Sequence, residues 1–291
     1  MDKATLLKKV RLIEIKTKGI SQNIFSGEYH SAFKGRGMSF SEVREYTFGD
    51  DVRNIEWNVT ARRRHPYIKV FEEERELTVM LLIDNSHSSF FGTQLQMKNQ
   101  LITEIAAVLS FSAINNNDKV GVILFSDRIE KFIPPKKGKS HILRIISDLL
   151  ELTPEGKGTN IAQALQYFNN VVNKKSIAFV FSDFMDKGYE KPLMIAARKH
   201  DVIGVHIHDK REEELPDAGI IRMFDTEKND TILVDTSNKK VRDRYRSNYL
   251  KNVQEFKSTF IKSGADTISI HSQKPYINEL HSFFRKRIMM K

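Results

Sequence analysis

An unbroken run of apolar side chains at residues 79–83, Val-Met-Leu-Leu-Ile, constrains the fold of this chain more than any other stretch. Such a run is typical of a strand that is buried on both faces of a parallel sheet. The run ends at Asp84, and Ser86 and Ser88 follow at alternate positions. The sequence therefore predicts a central strand with a carboxylate and two hydroxyls at its carboxyl end, where open α/β sheets place their binding sites.

After this strand, strand-like and helical patterns alternate along the chain. The apolar strand-like segments are residues 119–125, 176–181, 201–207 and 265–270, and residues 129–133 are expected to pair beside the first of them. The segments with apolar side chains at helical spacing are residues 94–114, 140–152, 161–172, 189–200, 241–262 and 277–286. This alternation predicts right-handed crossovers and a three-layer α/β/α fold with a doubly wound, mostly parallel sheet.

The chain before residue 77 does not show this alternation of strand-like and helical patterns. Residues 5–16 have the apolar spacing of a helix, and the segment that follows is rich in Gly, Arg, Asp and aromatic residues without a sustained period. Residues 67–71 alternate as a strand does. We expect an N-terminal helix and strand-rich lobe over residues 1–76 and an α/β domain over residues 77–291, modified from about residue 209, where a hairpin is expected.

The composition narrows the class of protein. The chain has no cysteine, which excludes disulfides and zinc–thiolate sites. No apolar stretch approaches the roughly 20 residues that a membrane-spanning helix needs. These features predict a cytoplasmic protein without a membrane span. The formal net charge is +10, but Lys and Arg are spread along the chain, so we expect a generally basic surface and no nucleic-acid partner.

Two further polar segments are expected at the edge of the sheet that holds Asp84. Thr159 stands in a Gly-Thr-Asn sequence just before a helix, and Asp183 follows the strand at residues 176–181. Because the carboxyl ends of parallel strands meet at one edge, these side chains should approach Asp84 and its two serines. Oxygen ligands alone suit a hard cation such as Mg²⁺. The simpler alternative is that Asp84 caps the next element and the serines are turn residues.

Three short motifs follow one another along the chain: D-x-S-x-S at residues 84–88, G-T-N at residues 158–160 and S-D at residues 182–183. This order resembles the metal-ion-dependent adhesion site of von Willebrand factor A-type domains. The resemblance covers residues 77 to about 207. It implies Ser86 and Ser88 as direct ligands of Mg²⁺ (or Mn²⁺ or Ca²⁺) and Thr159 as a direct or water-bridged ligand, with Asp84 and Asp183 acting mainly through water. It also implies a non-enzymatic site whose open coordination position accepts an Asp or Glu carboxylate of a protein partner.

A narrower resemblance covers nearly the whole chain. The motifs that carry it are G-R-G at residues 35–37, E-V-R-E-Y at 42–46, G-D-D-V-R-N-I-E-W at 49–57, A-R at 61–62 and E-E-R-E at 73–76. They resemble the signature of domain-of-unknown-function family 58, whose genes tend to accompany MoxR-type AAA+ ATPases. The resemblance implies a MoxR-type AAA+ ATPase, or a client of that ATPase, as the partner in the assembly or maturation of protein complexes.

A dense cluster of charges surrounds the only tryptophan, Trp57. Its members are Asp50, Asp51, Arg53, Glu56, Arg62 and Arg63. Two interpretations are open. In the first, an ion-pair network holds the lobe on the main domain, with Trp57 as the apolar anchor. In the second, the cluster is a partner-docking face in which Arg53, Trp57 and Arg62 bind the partner.

Two other functions compete with an interaction module. A metal-dependent phosphoester hydrolase or nuclease could use Asp84 and Asp183, but the chain has no D-x-D pair, no Gly-rich phosphate loop and no evident general base in these loops. A nucleic-acid-binding protein is suggested only by the positive charge, and steep salt dependence of binding would reveal it. The sequence therefore predicts that the protein is not an enzyme.

Overall fold

The computed structural model describes residues 3–21, 26–33, 38–73, 76–86, 98–156, 158–225 and 230–290. Its contacts divide the chain into two compact units, a smaller one of residues 33–76 and a larger one of residues 1–32 and 77–291. The chain begins with two helices, α1 (Lys3–Ile20) and α2 (Ser26–Phe33). The helix expected at residues 5–16 is confirmed in α1, whereas α2 was not predicted.

The smaller unit is built on an antiparallel pair of strands, β1 (Met38–Glu45) and β2 (Tyr67–Glu73). Between them lie a short 3₁₀ turn (Val52–Asn54) and the helix α3 (Trp57–Arg63). The Glu56 side chain caps α3 by accepting a hydrogen bond from Asn58 N at 3.3 Å. The strand predicted at residues 67–71 is confirmed, but β1 and α3 could not be read from a segment without a period.

The larger unit contains a six-stranded sheet. Its strands are β3 (Thr78–Asp84), β4 (Lys119–Phe125), β5 (Ile129–Lys136), β6 (Ile177–Ser182), β7 (Asp201–His208) and β10 (Asp266–His271). Their order across the sheet is β10-β7-β6-β3-β4-β5. Among the described pairings of this sheet, only that of β4 with β5 is antiparallel. The predicted three-layer α/β/α fold with a doubly wound, mostly parallel sheet is therefore confirmed.

Helices cover both faces of this sheet. They are α4 (Lys98–Asn115), α5 (Lys139–Glu151), α6 (Ile161–Val171), α7 (Glu190–Lys199), α9 (Lys239–Lys262) and α10 (Tyr276–Met289). Met80 and Leu82 of β3 share one core with apolar side chains of α6, α7 and α9. Their neighbours Val79, Leu81 and Ile83 are equally buried and, because side chains alternate along a strand, belong to the opposite face. This two-sided burial is the reason for the unbroken apolar run.

The first helix belongs to the larger unit. Helix α1 packs against α4 and α5, and ion pairs join Lys16 to Glu104 at 2.6 Å and Glu14 to Lys139 at 2.5 Å. The division expected from the sequence, residues 1–76 and 77–291, differs from this arrangement because α1 groups with the α/β unit. Helical spacing identifies an apolar face but does not say which surface covers it.

The part of the chain after β7 departs from simple alternation, as expected. A one-turn helix α8 (Lys210–Glu213) follows β7, and β8 (Ile220–Asp225) pairs with β9 (Asp230–Asp235) in a separate antiparallel hairpin. The predicted hairpin is thus confirmed. Among the helices described, none is both long enough and apolar enough to cross a membrane.

Candidate metal centre

The candidate site lies where the strand order of the sheet reverses. From β3 the chain continues into β4 on one side, and it returns later to place β6 on the other side. In the β3–β6 pairing, Ile83 lies opposite Phe181, so Asp84 and Ser182 end neighbouring strands at the same edge. Doubly wound sheets bind their ligands at this switch point.

Asp84 is held at this edge by hydrogen bonds to both of its carboxylate oxygens. Ser86 N donates to Asp84 Oδ1 at 2.9 Å, and Ser182 Oγ donates to Asp84 Oδ2 at 2.7 Å. Ser182 Oγ itself accepts from Phe184 N at 3.1 Å, which fixes the direction of its hydroxyl. Asp84 and Ser86 are fully buried. The carboxylate therefore has one defined orientation.

The electrostatic environment of Asp84 favours its neutral form. Burial above all, and then the negative charge of Asp183, raise the pKa of this carboxyl to about 7, against the opposing hydrogen bonds from Ser86 and Ser182. A buried acid of this kind is stabilised in its ionised form by a nearby cation. The carboxyl is therefore suited to a place beside a metal ion.

Asp183 follows β6 directly and is positioned by an unusual backbone. Phe184, the next residue, has φ of 53°, in the left-handed region that aromatic residues rarely adopt. The Phe184 ring is buried and stacks on Phe256 with ring centroids 4.2 Å apart. Asp183 Oδ1 accepts from Met185 N at 3.2 Å. Ring packing thus stabilises a turn that keeps Asp183 at the strand end.

The loop that carries Thr159 is tied to the same edge. Asn160 N donates to the carbonyl of Ser126, the residue after β4, at 2.8 Å. Ile161 N donates to Asp186 Oδ2, three residues beyond Asp183, also at 2.8 Å. Asn160 Oδ1 caps α6 by accepting from Gln163 N. These bonds place the loop of Thr159 between the chain segments that leave β4 and β6.

A buried lysine also lies at this edge. Lys98, the first residue of α4, is 2% exposed. Its ammonium donates to the Glu212 carboxylate of α8 and lies 3.9 Å from Asp183 Oδ2. Burial raises the pKa of Glu212, and Lys98 opposes that shift. The Lys98 ammonium therefore lies between two acidic side chains, those of Asp183 and Glu212.

Sequence reasoning did not identify Lys98, although a signal for it exists. Lys98 extends the buried stripe formed by Leu101, Ile102 and Ile105 of α4 by one turn. A lysine at an apolar position of a core helix needs a carboxylate partner. That partner, Glu212, stands 114 residues further along the chain, so only the folded structure identifies it.

Those predicted site residues that the structure describes lie at the same edge of the sheet. Asp84, Ser86, Asp183 and the loop of Thr159 lie there, while Ser88 falls outside the described residues. Within the described ranges, no three His, Cys, Asp or Glu side chains are arranged to hold a metal ion. The residues that the sequence predicts as direct ligands, Ser86, Ser88 and Thr159, all carry hydroxyl oxygens. Such an oxygen-only donor set matches the preference of Mg²⁺.

The described ion pairs around Trp57 lie within the smaller unit. The Trp57 side chain is 68% exposed. The described ion pairs join residues of the smaller unit to one another: Arg44–Asp50 at 2.7 Å, Arg53–Asp51 at 2.9 Å and Lys69–Glu56 at 2.7 Å. Arg62 is exposed at the end of α3. The three carboxylates of the cluster are therefore paired within the smaller unit.

Comparisons with known proteins give relatives across almost the full length. Uncharacterized protein Rv1480 of Mycobacterium tuberculosis is 26% identical over 99% of this chain and 91% of its own. The crystal structure of the conserved hypothetical protein BatB from Bacteroides thetaiotaomicron is similar with a TM-score of 0.49 and 14% identity, over 74% of this chain and all of that chain. The VWA domain of SpRpn10 has a TM-score of 0.39 and 15% identity, over 70% of this chain and 93% of that chain.

A sequence family matches most of the chain. Residues 42–255 match the family described as Protein of unknown function DUF58. The matched region includes the charged cluster around Trp57, the β3 strand with Asp84, and most of α9. The resemblance to this family noted from the sequence motifs is confirmed. The chain thus belongs to the DUF58 family.

Proposed function

We propose that this protein is a non-enzymatic interaction module that binds a partner through a divalent cation, preferably Mg²⁺. The cation would lie at the carboxyl ends of β3 and β6, which we call the β3–β6 edge. The observation that carries the proposal is the Asp84 carboxyl, buried and hydrogen-bonded through both oxygens beside Asp183 at the switch point of the sheet. A bound cation would stabilise the ionised forms of two neighbouring carboxyls that otherwise repel each other.

The roles of the residues follow from their chemistry. Ser86, Ser88 and Thr159 would hold the ion through neutral oxygens, and Asp84 and Asp183 would balance its charge. When bound, an ion with neutral ligands and an open position can accept an acidic side chain from another protein. Ser182 and Ser86 N orient the Asp84 carboxylate for this task.

The identity of the partner rests on the family resemblance. We infer that the partner is a MoxR-type AAA+ ATPase or one of its clients, and that the protein acts in the cytoplasm in the assembly or maturation of protein complexes. The partner is expected to contribute an Asp or Glu carboxylate at the contact.

Calorimetric titration of the full chain with Mg²⁺ and Mn²⁺ tests the metal site. Asp183→Asn should weaken metal binding at least about ten-fold, because partners that orient and balance a metal site are typically worth that much. Asp127→Asn is the matched control: Asp127 also follows a serine at the end of a parallel strand, but it pairs with Arg128. Equal metal affinity for both variants and the parent would refute the site.

A second assay separates the module from a hydrolase. Purified protein is incubated with phosphodiester and phosphomonoester substrates in Mg²⁺ and Mn²⁺. We expect no turnover above that of the Asp183→Asn variant. Metal-dependent turnover that Asp183→Asn abolishes would establish an enzyme in place of the interaction module.

A further inference from the structure

The smaller unit exposes three large apolar side chains within ten residues. Phe48, Val52 and Trp57 are 103%, 61% and 68% exposed. Isolated exposed apolar side chains are common, but several in one short segment make that segment a candidate for an interaction. We call Phe48, Val52 and Trp57, together with the exposed Arg62, Arg63 and Arg64, the Trp57 surface.

The backbone beneath this surface is fixed by local hydrogen bonds. The Arg44 guanidinium binds both oxygens of Asp50, at 2.9 and 2.7 Å, and Asp50 also accepts from Thr47 N at 2.8 Å. These bonds lower the pKa of Asp50 to about 2, the bond from Arg44 contributing most. Asp50 therefore stays ionised and holds the turn that carries Phe48 closed.

The segment between this turn and α3 is fixed as well. Asp51 Oδ1 accepts from Arg53 N at 3.0 Å and caps the 3₁₀ turn that carries Val52. Glu56 N donates to the carbonyl of Tyr67 in β2 at 2.8 Å, which sets the start of α3 and the position of Trp57. A surface that is already ordered loses little conformational entropy when a partner binds.

On and beside the Trp57 surface, the negative charges are paired and three positive charges are not, within the part of the chain that the structure describes. The carboxylates beside it, those of Asp50, Asp51 and Glu56, each hold a cation of the same unit. In contrast, Arg62, Arg63 and Arg64 form no ion pair with any residue that the structure describes. The uncompensated charge of this surface is positive, which favours an acidic partner.

We propose that the Trp57 surface docks a protein segment in which apolar side chains alternate with Asp or Glu. Trp, Phe and Arg are the residue types that dominate the energetics of protein–protein interfaces. Three carboxylates in the same segment, those of Asp50, Asp51 and Glu56, disfavour a nucleic-acid strand, whose phosphates need an uninterrupted positive groove. The residues of this contact lie in the smaller unit, and those of the proposed metal site lie in the larger one.

The only tryptophan of the chain reports directly on this contact. The probes are synthetic peptides of alternating Glu and Leu or Phe, the same peptides with Gln in place of Glu, and an oligothymidylate. They are titrated into the full chain in EDTA, so that metal-bridged binding does not contribute. We expect only the acidic peptides to shift the Trp57 emission to the blue and to protect Trp57 from acrylamide quenching.

Charge-reversal variants test the arginines. A triple variant with Arg62→Glu, Arg63→Glu and Arg64→Glu should weaken peptide binding at least about ten-fold, because each exposed charge contributes modestly to steering and affinity. The control reverses three exposed charges of α9, with Lys239→Glu, Lys240→Glu and Arg244→Glu, and should leave peptide binding unchanged. Thermal melting of both variants checks that they remain folded.

Several results would overturn the proposal. One is an unchanged Trp57 emission with every acidic peptide. Another is an equal loss of peptide affinity in the two triple variants. A third is preferential binding of the Gln peptides or the oligothymidylate. Concentration-dependent dimerisation that Trp57→Ala abolishes would assign the surface to a second copy of the chain. Metal titrations of the β3–β6 edge do not alter any of these outcomes, so the two proposals fail separately.

Discussion

A buried carboxyl is stabilised by a proton, by hydrogen bonds or by a nearby cation. Both carboxyl oxygens of Asp84 accept hydrogen bonds, and its pKa still rises to about 7 because of burial. In the unfolded chain an aspartate titrates near its ordinary value of 3.8. The folded protein therefore retains a proton at Asp84 over a pH range in which the unfolded chain has lost it.

The pH dependence of stability should show this difference. Between about pH 4 and pH 7 the free energy of unfolding should fall as pH rises, because the folded state binds the extra proton. The Asp84→Asn variant should lose that contribution, so its stability should change less between pH 5 and pH 8 than the stability of the parent. Urea denaturation at pH 5 and pH 8 measures both effects. An identical pH slope in the variant and the parent would contradict the assignment.

The charge balance at Lys98 gives a second prediction. Removal of one partner of a buried ion pair leaves the other charge uncompensated, which typically costs about 3–5 kcal/mol. We expect Lys98→Met to destabilise the protein by roughly that much, and Lys98→Met with Glu212→Gln to recover part of the loss. The measurement is a double-mutant cycle by urea denaturation. A single variant within about 0.5 kcal/mol of the parent would show that the pair is not buried as described.

Among single residues, the sequence located those that directly follow strands. It did not identify those whose contacts are made with residues far away in the sequence. Asp84, Ser86 and Asp183 could be placed because each follows an apolar run. Ser182 could not be recognised as a donor to Asp84, since the two residues are 98 positions apart and only the strand pairing joins them. The contribution of Ser88 stays a prediction.

Among the elements, long periodic segments were predictable and short aperiodic ones were not. The strand β4 spans the residues that its apolar run indicates, because both of its faces are buried. In contrast, α3 is only seven residues long and has no buried residue, so no hydrophobic period marks it. Its start is set by the Glu56 cap, a signal too weak to be read alone.

The packing of α9 on the sheet depends on a glycine. A Cβ at Gly204 of β7 would lie 2.6 Å from the Phe260 ring and 2.9 Å from the Phe256 ring, both in α9. We therefore expect Gly204→Ala to destabilise the protein by about 1–3 kcal/mol through overpacking. Gly19→Ala is the control, since nothing lies within 4 Å of a Cβ there. Chemical denaturation of both variants is the measurement, and equal stabilities would show that α9 is not in close contact with β7.

In the molecule as a whole, the two units differ in the side chains that they bring together. The α/β unit gathers carboxylates and hydroxyls at one edge of its sheet, and the smaller unit presents aromatic and arginine side chains on a fixed backbone. The architecture of the α/β unit was predictable because alternating strands and helices permit few topologies. The placement of α1 on α4 and α5 was not, because many surfaces could cover its apolar face.

The central claim is that one hard divalent ion binds at the β3–β6 edge. Crystals grown in Mn²⁺ and measured with anomalous diffraction test it most directly, since Mn²⁺ accepts the same oxygen ligands as Mg²⁺. We predict one strong anomalous peak in contact with the Ser86 hydroxyl and beside the Asp84 carboxylate, and no such peak in crystals of the Asp183→Asn variant. A map from Mn²⁺-saturated crystals with no anomalous peak at this edge, or with the peak retained in Asp183→Asn, would contradict the account.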